Sequence, residues 1–283
     1  MIKEPLLIID GDVLAYHACR PRYLKKSSIH RGIVHIELDE KGKKKEFEYT
    51  KEEDEEYLEE SWNNFKNDVQ HLCDHLWAED YVMAVGGRYN FRKTMYPNYK
   101  MNRHREGVKQ NEFVPIIRKR AAEEGMAVFA DYREADDYIR IWAEECRENG
   151  IDFIICSIDK DLKCIPGKFF DTRKDKKGNF THKVEVISEK KALRNYYGQM
   201  LMGDGMDNIP GIPGLGPKTA EKLLKFVQTE EEMQEIVVDE YIKAYGFEEW
   251  RDYLLSNGKM IHLQKKLNDY FYIRDWPVVK ELG

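Results

Sequence analysis

The chain has 283 residues, 42% of them hydrophobic and 35% charged, and a net charge of −6. No apolar run approaches the ~20 residues of a membrane helix, and the N-terminal run at 6–9 is too short for a signal peptide and meets Asp10 at once. Five cysteines with no CxxC spacing point to a reduced, cytoplasmic setting, and the length suits one large domain or two modest ones.

In chain order, residues 6–9 read as a buried strand ending at Asp10-Gly11-Asp12, and 13–19 as the start of a helix. A hairpin inserted at about 29–49 precedes a long amphipathic helix over 53–77. A second strand, 81–85, is followed by Gly86-Gly87. The segment 88–110 is cation-rich, with Arg92, Lys93, Lys100 and Arg103 among its charges, in an otherwise acidic chain. A helix at 112–124, a strand at 126–129, a helix at 135–148 and a strand at 153–157 follow. Short strands at 168–187 and a helix at 188–202 lead to a turn-rich stretch, 202–220. Beyond Ala220 the chain reads as helices broken at Gly246 and Gly258. Short apolar strands alternating with helices predict an α/β fold, a mainly parallel sheet covered on both faces. Ligands in such folds sit at the carboxyl ends of strands.

The acids fall into four groups at such positions. Asp10 and Asp12 follow the first strand. Glu134, Asp136 and Asp137 open a helix, where acids also complement the helix dipole. Asp159 and Asp161 follow the fourth strand, and Asp204 and Asp207 lie in the Gly-rich loop. Any one group is ordinary turn or cap chemistry. Four groups converging on one sheet edge would repel strongly unless cations neutralised them. An all-carboxylate set suits Mg2+ or Mn2+, two or more ions. Two such ions ~3.5–4 Å apart can serve phosphodiester hydrolysis. The stretch Gly211–Gly216 runs into Pro217-Lys218-Thr219 and an apolar-periodic helix, an arrangement that presents backbone N–H groups to a phosphate.

The order Asp10-Gly-Asp, Tyr96-Pro-Asn-Tyr-Lys-Met-Asn-Arg103, Glu134-Ala-Asp-Asp137, Asp159-Lys-Asp161, then Gly203-Asp-Gly-Met-Asp-Asn-Ile-Pro-Gly211 with Gly214-Leu-Gly-Pro-Lys218 resembles the flap endonuclease and 5′→3′ exonuclease family. The likeness is greatest to free-standing phage exonucleases and the 5′-nuclease domain of bacterial DNA polymerases. It implies a PIN-like nuclease core over 1–203 with a helical arch or clamp at 88–110. It also implies a helix–hairpin–helix DNA-binding region and C-terminal helices over 204–283. By motif, Asp10, Glu134, Asp136, Asp137, Asp159, Asp161, Asp204 and Asp207 match the family's metal-site acids, and Lys100 and Arg103 the basic pair that contacts the scissile phosphate. Tyr99 takes the place of an aromatic that stacks on a terminal base. Arg92 and Lys93, with Gly211, Gly214, Gly216, Lys218 and Thr219, are expected to touch DNA. K+ is expected on the backbone carbonyls of the Gly211–Lys218 loop. The family's Asp after the second strand is absent, with Gly86-Gly87 in its place, and Asp12 is the candidate to substitute for it.

The resemblance implies a metal-dependent 5′→3′ exonuclease that hydrolyses duplex DNA from the 5′ end, with cleavage of 5′ flaps as a second activity; a monomer is expected. A junction-binding protein with impaired catalysis is the rival from another class. A related RNA-directed nuclease is the rival within enzymes.

Overall fold

The computed structural model describes residues 4–19, 51–87, 89–101 and 111–280. The hairpin expected at 29–49, Arg88 and residues 102–110, which include Arg103, lie outside the described residues.

Five short strands, β1 (Leu6–Asp10), β2 (Tyr81–Gly86), β3 (Val128–Ala130), β4 (Phe153–Ser157) and β5 (Gly167–Asp171), pair in parallel, and β6 (Glu185–Ile187) closes one edge antiparallel to β5. The order across the sheet is β3-β2-β1-β4-β5-β6. Side chains alternate between faces along a strand. On β1, Leu7 and Ile9 pack on one face and Ile8 on the other; on β4, Ile154 and Cys156 oppose Phe153 and Ile155. The first face is covered by α1 (Gly11–Ala18), the long α2 (Lys51–Leu76) and α4 (Val114–Glu123), through Leu14, Trp62, Phe65 and Ile117. The second is covered by α5 (Ala135–Glu148), through Ile139 and Ala143, and by α6 (Glu189–Met202), through Ala192. A short helix, α3 (Phe91–Met95), follows β2. All five cysteines are buried as free thiols.

The far end of α6 belongs to a second apolar core. Tyr197, Met200 and Leu201 pack against Ala220 and Leu224 of α7 (Pro217–Leu224) and against Met233, Val237, Tyr241 and Trp250 of α8 (Glu230–Ile261). Between α6 and α7 lies a two-stranded ladder, β7 (Gly203–Asp204) with β8 (Ile209–Pro210), and the chain ends its described part in α9 (Pro277–Lys280). Gly203 has φ 68°, and a Cβ there would lie 2.4 Å from the Ile209 carbonyl oxygen, so only glycine lets this ladder close. No helix among the described residues is long and apolar enough to cross a membrane.

Of the two helix breaks expected beyond Ala220, one is found. Gly246 does interrupt α8, with φ 75° and ψ 166°, but Gly258 does not break it. A Cβ at Gly258 would meet the Phe271 ring at 2.1 Å, so that glycine serves close packing inside a continuing helix.

Candidate active site

The strand order reverses direction at β1, whose neighbours are β2 on one side and β4 on the other. This is the switch point where a crevice opens at the carboxyl ends of the strands. Asp10 ends β1 and caps α1, its Oδ1 accepting from the Asp12 N–H at 3.1 Å. Its Oδ2 accepts from the Ser157 hydroxyl at 2.6 Å, at the end of β4. The Ser157 hydroxyl in turn accepts from the Asp159 N–H at 2.9 Å, and Asp159 accepts from the Asp161 N–H at 2.8 Å. Successive caps thus carry one carboxylate after another over the strand ends. Asp136 enters from the first turn of α5, and Asp204 and Asp207 from the β7–β8 turn, where Asp204 Oδ1 accepts from the Met206 N–H at 2.7 Å.

The result is a cleft of about 290 Å3 whose walls include Asp10, Asp12, Glu134, Asp136, Asp159, Asp161, Asp204 and Asp207. Against these acids stand the cations Lys100 and Arg118, with His17 at the margin. Carboxylates therefore exceed cations in a partly buried space. Burial first, and then the neighbouring Asp12 and Asp159, push Asp10 up to about 7. Burial, Asp159 and Asp204 push Asp161 up to about 7, and burial with Asp10 and Asp159 raises Asp136 well above its usual range. Glu134 goes the other way: burial opposes its ionisation, but Lys100 and Arg92 hold it down to about 2.

These shifts predict a pH-dependent stability. The folded values of Asp10 and Asp161 lie above those of the unfolded chain, near 3.8. Their contribution is complete below about pH 4 and is lost as pH rises through about 7. In chelator, the melting temperature should fall between pH 5 and 8. The buried Asp10 alone can give a limiting slope of about 1.4 kcal/mol per pH unit. Magnesium should flatten the fall. A flat profile in chelator, unmoved by magnesium, would contradict the excess of unneutralised carboxylates.

Lys100 lines the cleft among these acids. Its ammonium pairs with Glu134 and lies 3.5 Å from Asp207, while its backbone N–H donates to the Asp207 carbonyl at 2.8 Å. It holds φ 59°, a left-handed conformation costly for a lysine and here fixed by that bond.

Three expected roles are corrected. Asp137 is fully buried, and donors already meet both its oxygens. Oδ1 accepts from Arg92 Nη2 at 2.8 Å and the Gln264 N–H at 3.1 Å, and Oδ2 from Arg92 Nη1 at 2.7 Å and the Glu134 N–H at 3.0 Å. A carboxylate has about four lone-pair sites, so nothing is left for an ion. Arg92 is likewise fully buried and cannot reach DNA. Tyr99 is 3% exposed, with its hydroxyl 2.8 Å from Glu134 and 3.2 Å from Asp207, and has no open ring face on which a base could stack.

Other expectations meet different surroundings. Lys93, Gly214, Lys218 and Thr219 are exposed, and Gly216 caps α7 with no side-chain hydrogen bond. Gly211 is packed so close to Met202 that a Cβ would lie 2.1 Å from its carbonyl carbon. Asp12 fills the space at Gly86: its Oδ1 accepts from the Gly86 N–H at 2.6 Å, and a Cβ at 86 would lie 2.7 Å from its Oδ2.

Sequence reasoning had not singled out Ser157, Gln199 and Arg118 for the site. Gln199 donates to Asp161 at 2.6 Å, and Arg118 Nε lies 2.8 Å from Asp12. A serine at the end of the strand, two residues before Asp159 of the Asp-x-Asp pair, is the one signal that could have shown Ser157.

Among the described residues, no three Asp, Glu, His or Cys side chains already converge as a ready-made ion site. The donor chemistry nevertheless fits a hard cation that keeps several waters and takes only a few carboxylates directly. Glu134 and Asp12 currently hold protein cations instead.

Two family models match the chain: the 5′-3′ exonuclease N-terminal resolvase-like domain over residues 48–198, and the 5′-3′ exonuclease C-terminal SAM fold over residues 195–275. DNA polymerase I of Bacillus caldotenax is 32% identical over 279 residues, covering 94% of this chain and 28% of that protein. Flap endonuclease Xni of Shewanella frigidimarina is 33% identical over 163 residues, covering 56% of this chain and 63% of that protein. The chain thus spans less than two thirds of the length of these relatives. Among solved structures, the bacteriophage T5 flap endonuclease in a pseudo-enzyme–product complex with DNA and metal ions aligns with TM-score 0.52 at 15% identity, over 91% of this chain and 94% of that one. At that identity the likeness speaks for the fold, a parallel-sheet core joined to a helical C-terminal region. With more than half of its length matched by the N-terminal model, the chain belongs to the 5′-3′ exonuclease family.

Proposed function

We propose that the chain is a divalent-metal-dependent nuclease that hydrolyses duplex DNA from a 5′ end, with mononucleotide release as its main reaction and 5′-flap cleavage as a second. The observation that carries this reading is the cleft at the β1/β4 switch point, where acids outnumber cations around Lys100. Asp10, Asp136, Asp159, Asp161, Asp204 and Asp207 would hold Mg2+ or Mn2+, with Glu134 joining as its bond to Lys100 loosens. Asp12, delivered from α1 into the space above Gly86, would replace the carboxylate the family carries after β2. When bound, the ions supply activation of water and charge stabilisation at the leaving oxygen.

The protein's own groups do the rest. Lys100, held in place by Asp207 and lying 5.0 Å over the Tyr99 ring, offers its ammonium to the scissile phosphate as charge builds there. Tyr99 fixes the Glu134 and Asp207 carboxylates. Water adds to phosphorus, the bond to the 3′ oxygen breaks, and a 5′-phosphate and a 3′-hydroxyl remain. Arg103 is proposed as the second cation on that phosphate.

The duplex would lie on the 211–219 loop and the start of α7. This helix has an uncapped N-terminus, and Lys218, Lys222 and Lys225 recur on one exposed face at helical spacing. Potassium on the loop carbonyls is part of the same proposal. Such contacts read phosphates rather than sequence. Lys218→Ala should therefore weaken duplex binding alike for unrelated sequences and reduce the slope of log affinity against log salt by about 1. An unchanged slope would remove Lys218 from the interface. We infer a cytoplasmic monomer.

The overall test is cleavage of a duplex that chelator abolishes and magnesium restores, with binding retained in both. Binding without cleavage in magnesium or manganese would favour the junction-binding reading instead.

A further inference from the structure

We infer that Arg92, through Asp137, is a positioning residue that ties the C-terminal segment 260–264 to the acids of the cleft. The inference rests on the nuclease reading above. A fully buried guanidinium is tolerated only when its donors are matched. Those of Arg92, on α3, go to two further pieces of chain. Nε donates to the Met260 carbonyl at 2.9 Å and Nη2 to the His262 carbonyl at 2.6 Å, both where the chain leaves α8. Nη1 and Nη2 form a two-pronged pair with Asp137 at 2.7 and 2.8 Å, and Nη1 also lies 3.4 Å from Glu134.

Each piece bears on the site. Arg92 itself lies on α3, whose next turn leads to Tyr99 and Lys100. Asp137 caps the first turn of α5 by accepting from the Glu134 N–H at 3.0 Å, and that turn carries Glu134 and Asp136 into the cleft. The 260–264 segment closes the arrangement through the Gln264 N–H, 3.1 Å from Asp137. Arg92 thus sets where the Lys100 segment stands relative to the α5 acids, from behind the cleft wall that its partners Glu134 and Met260 line. The last acid of the Glu-Ala-Asp-Asp motif is in this chain a strut rather than an ion ligand.

A buried pair of this kind often contributes little net stability, and well-packed apolar replacements can leave stability unchanged. That separates positioning from mere support. The test compares wild type, R92M, D137L and the R92M/D137L double variant. Readouts are melting temperature, duplex affinity in chelator, kcat and KM in magnesium, and Mn2+ affinity by electron paramagnetic resonance without DNA. The single variants should melt lower than wild type. The double variant should melt above the single variants, since no charge is left buried without its partner, but below wild type, since four backbone groups lose their hydrogen bonds, and it should bind duplex normally in chelator. Its kcat should still fall by about 100-fold with KM little changed, and its Mn2+ affinity by about tenfold.

A double variant with wild-type kcat and Mn2+ affinity would overturn the inference. If the double variant fails to fold, R92K is read in its place. It keeps the charge but cannot fill four acceptors at once, so it should melt below wild type yet above R92M and lose kcat by about tenfold, and unchanged kcat would overturn the inference. If wild type binds DNA but does not cleave it, the nuclease reading fails, and the Mn2+ measurement still decides on Arg92.

Discussion

Replacing Asp159 by asparagine is expected to lower the rate of DNA cleavage by about a thousandfold while leaving duplex binding in chelator intact. The choice of asparagine isolates the charge. Asp159 Oδ1 accepts from the Asp161 N–H at 2.8 Å and caps the 3-10 turn Lys160–Cys164, and an asparagine carboxamide can accept the same bond. What the substitution removes is one negative charge beside Asp10, Asp136 and Asp161, each of which has Asp159 among the neighbours that raise it. The variant should therefore show a second signature: in chelator it should melt at a higher temperature than wild type near pH 8, because the repulsion is relieved. Loss of activity without that gain would point to a damaged fold. Retained magnesium-dependent activity would take Asp159 out of the ion site.

Replacing Lys100 by alanine is expected to lower turnover by about a hundredfold, with a much smaller loss of DNA affinity. Lysine and alanine bear a similar cost at φ 59°, and the backbone bond to the Asp207 carbonyl needs no side chain, so the comparison reads the ammonium. Two consequences should appear together. Turnover falls because the phosphate loses a cation as its charge develops. Glu134 titrates higher, because Lys100 is the first of the neighbours that hold it down to about 2. The pH–rate profile of the variant should therefore lose its acid limb at higher pH than wild type. Equal losses of affinity and turnover, with an unmoved profile, would make Lys100 a simple contact for the DNA backbone.

The strands of the parallel sheet and most helices were legible because they are local, whereas the order of the strands, set by pairing over long stretches of chain, was not. The continuous apolar runs of β1 and β4 and the serine cap of α6 write themselves in a few neighbouring residues. The positions of the acids were legible for the same reason, since each follows a strand or opens a helix. What the sequence hid was pairing across distance. Arg92 meets Asp137 from 45 residues away and the Met260 carbonyl from 168, so a surface role for the arginine and an ion-binding role for the aspartate were the natural readings. Tyr99 belongs to the same class: its motif suggested an open ring, but the second core and the Glu134 carboxylate enclose it. Gly258 shows the converse, a break by composition that tertiary packing against Phe271 turns into helix.

The central claim is metal-dependent hydrolysis from a 5′ end. The measurement that tests it most directly uses a duplex and a matched 5′-flap substrate, each labelled once at the 5′ end and once at the 3′ end, with magnesium and with chelator. The account predicts early release of labelled mononucleotide from the 5′-labelled duplex, progressive shortening of the 3′-labelled strand, release of a short flap from the second substrate, and none of these in chelator. Early mononucleotide release from the 3′ label, cleavage that persists in chelator, or tight binding with no cleavage in magnesium or manganese would contradict it.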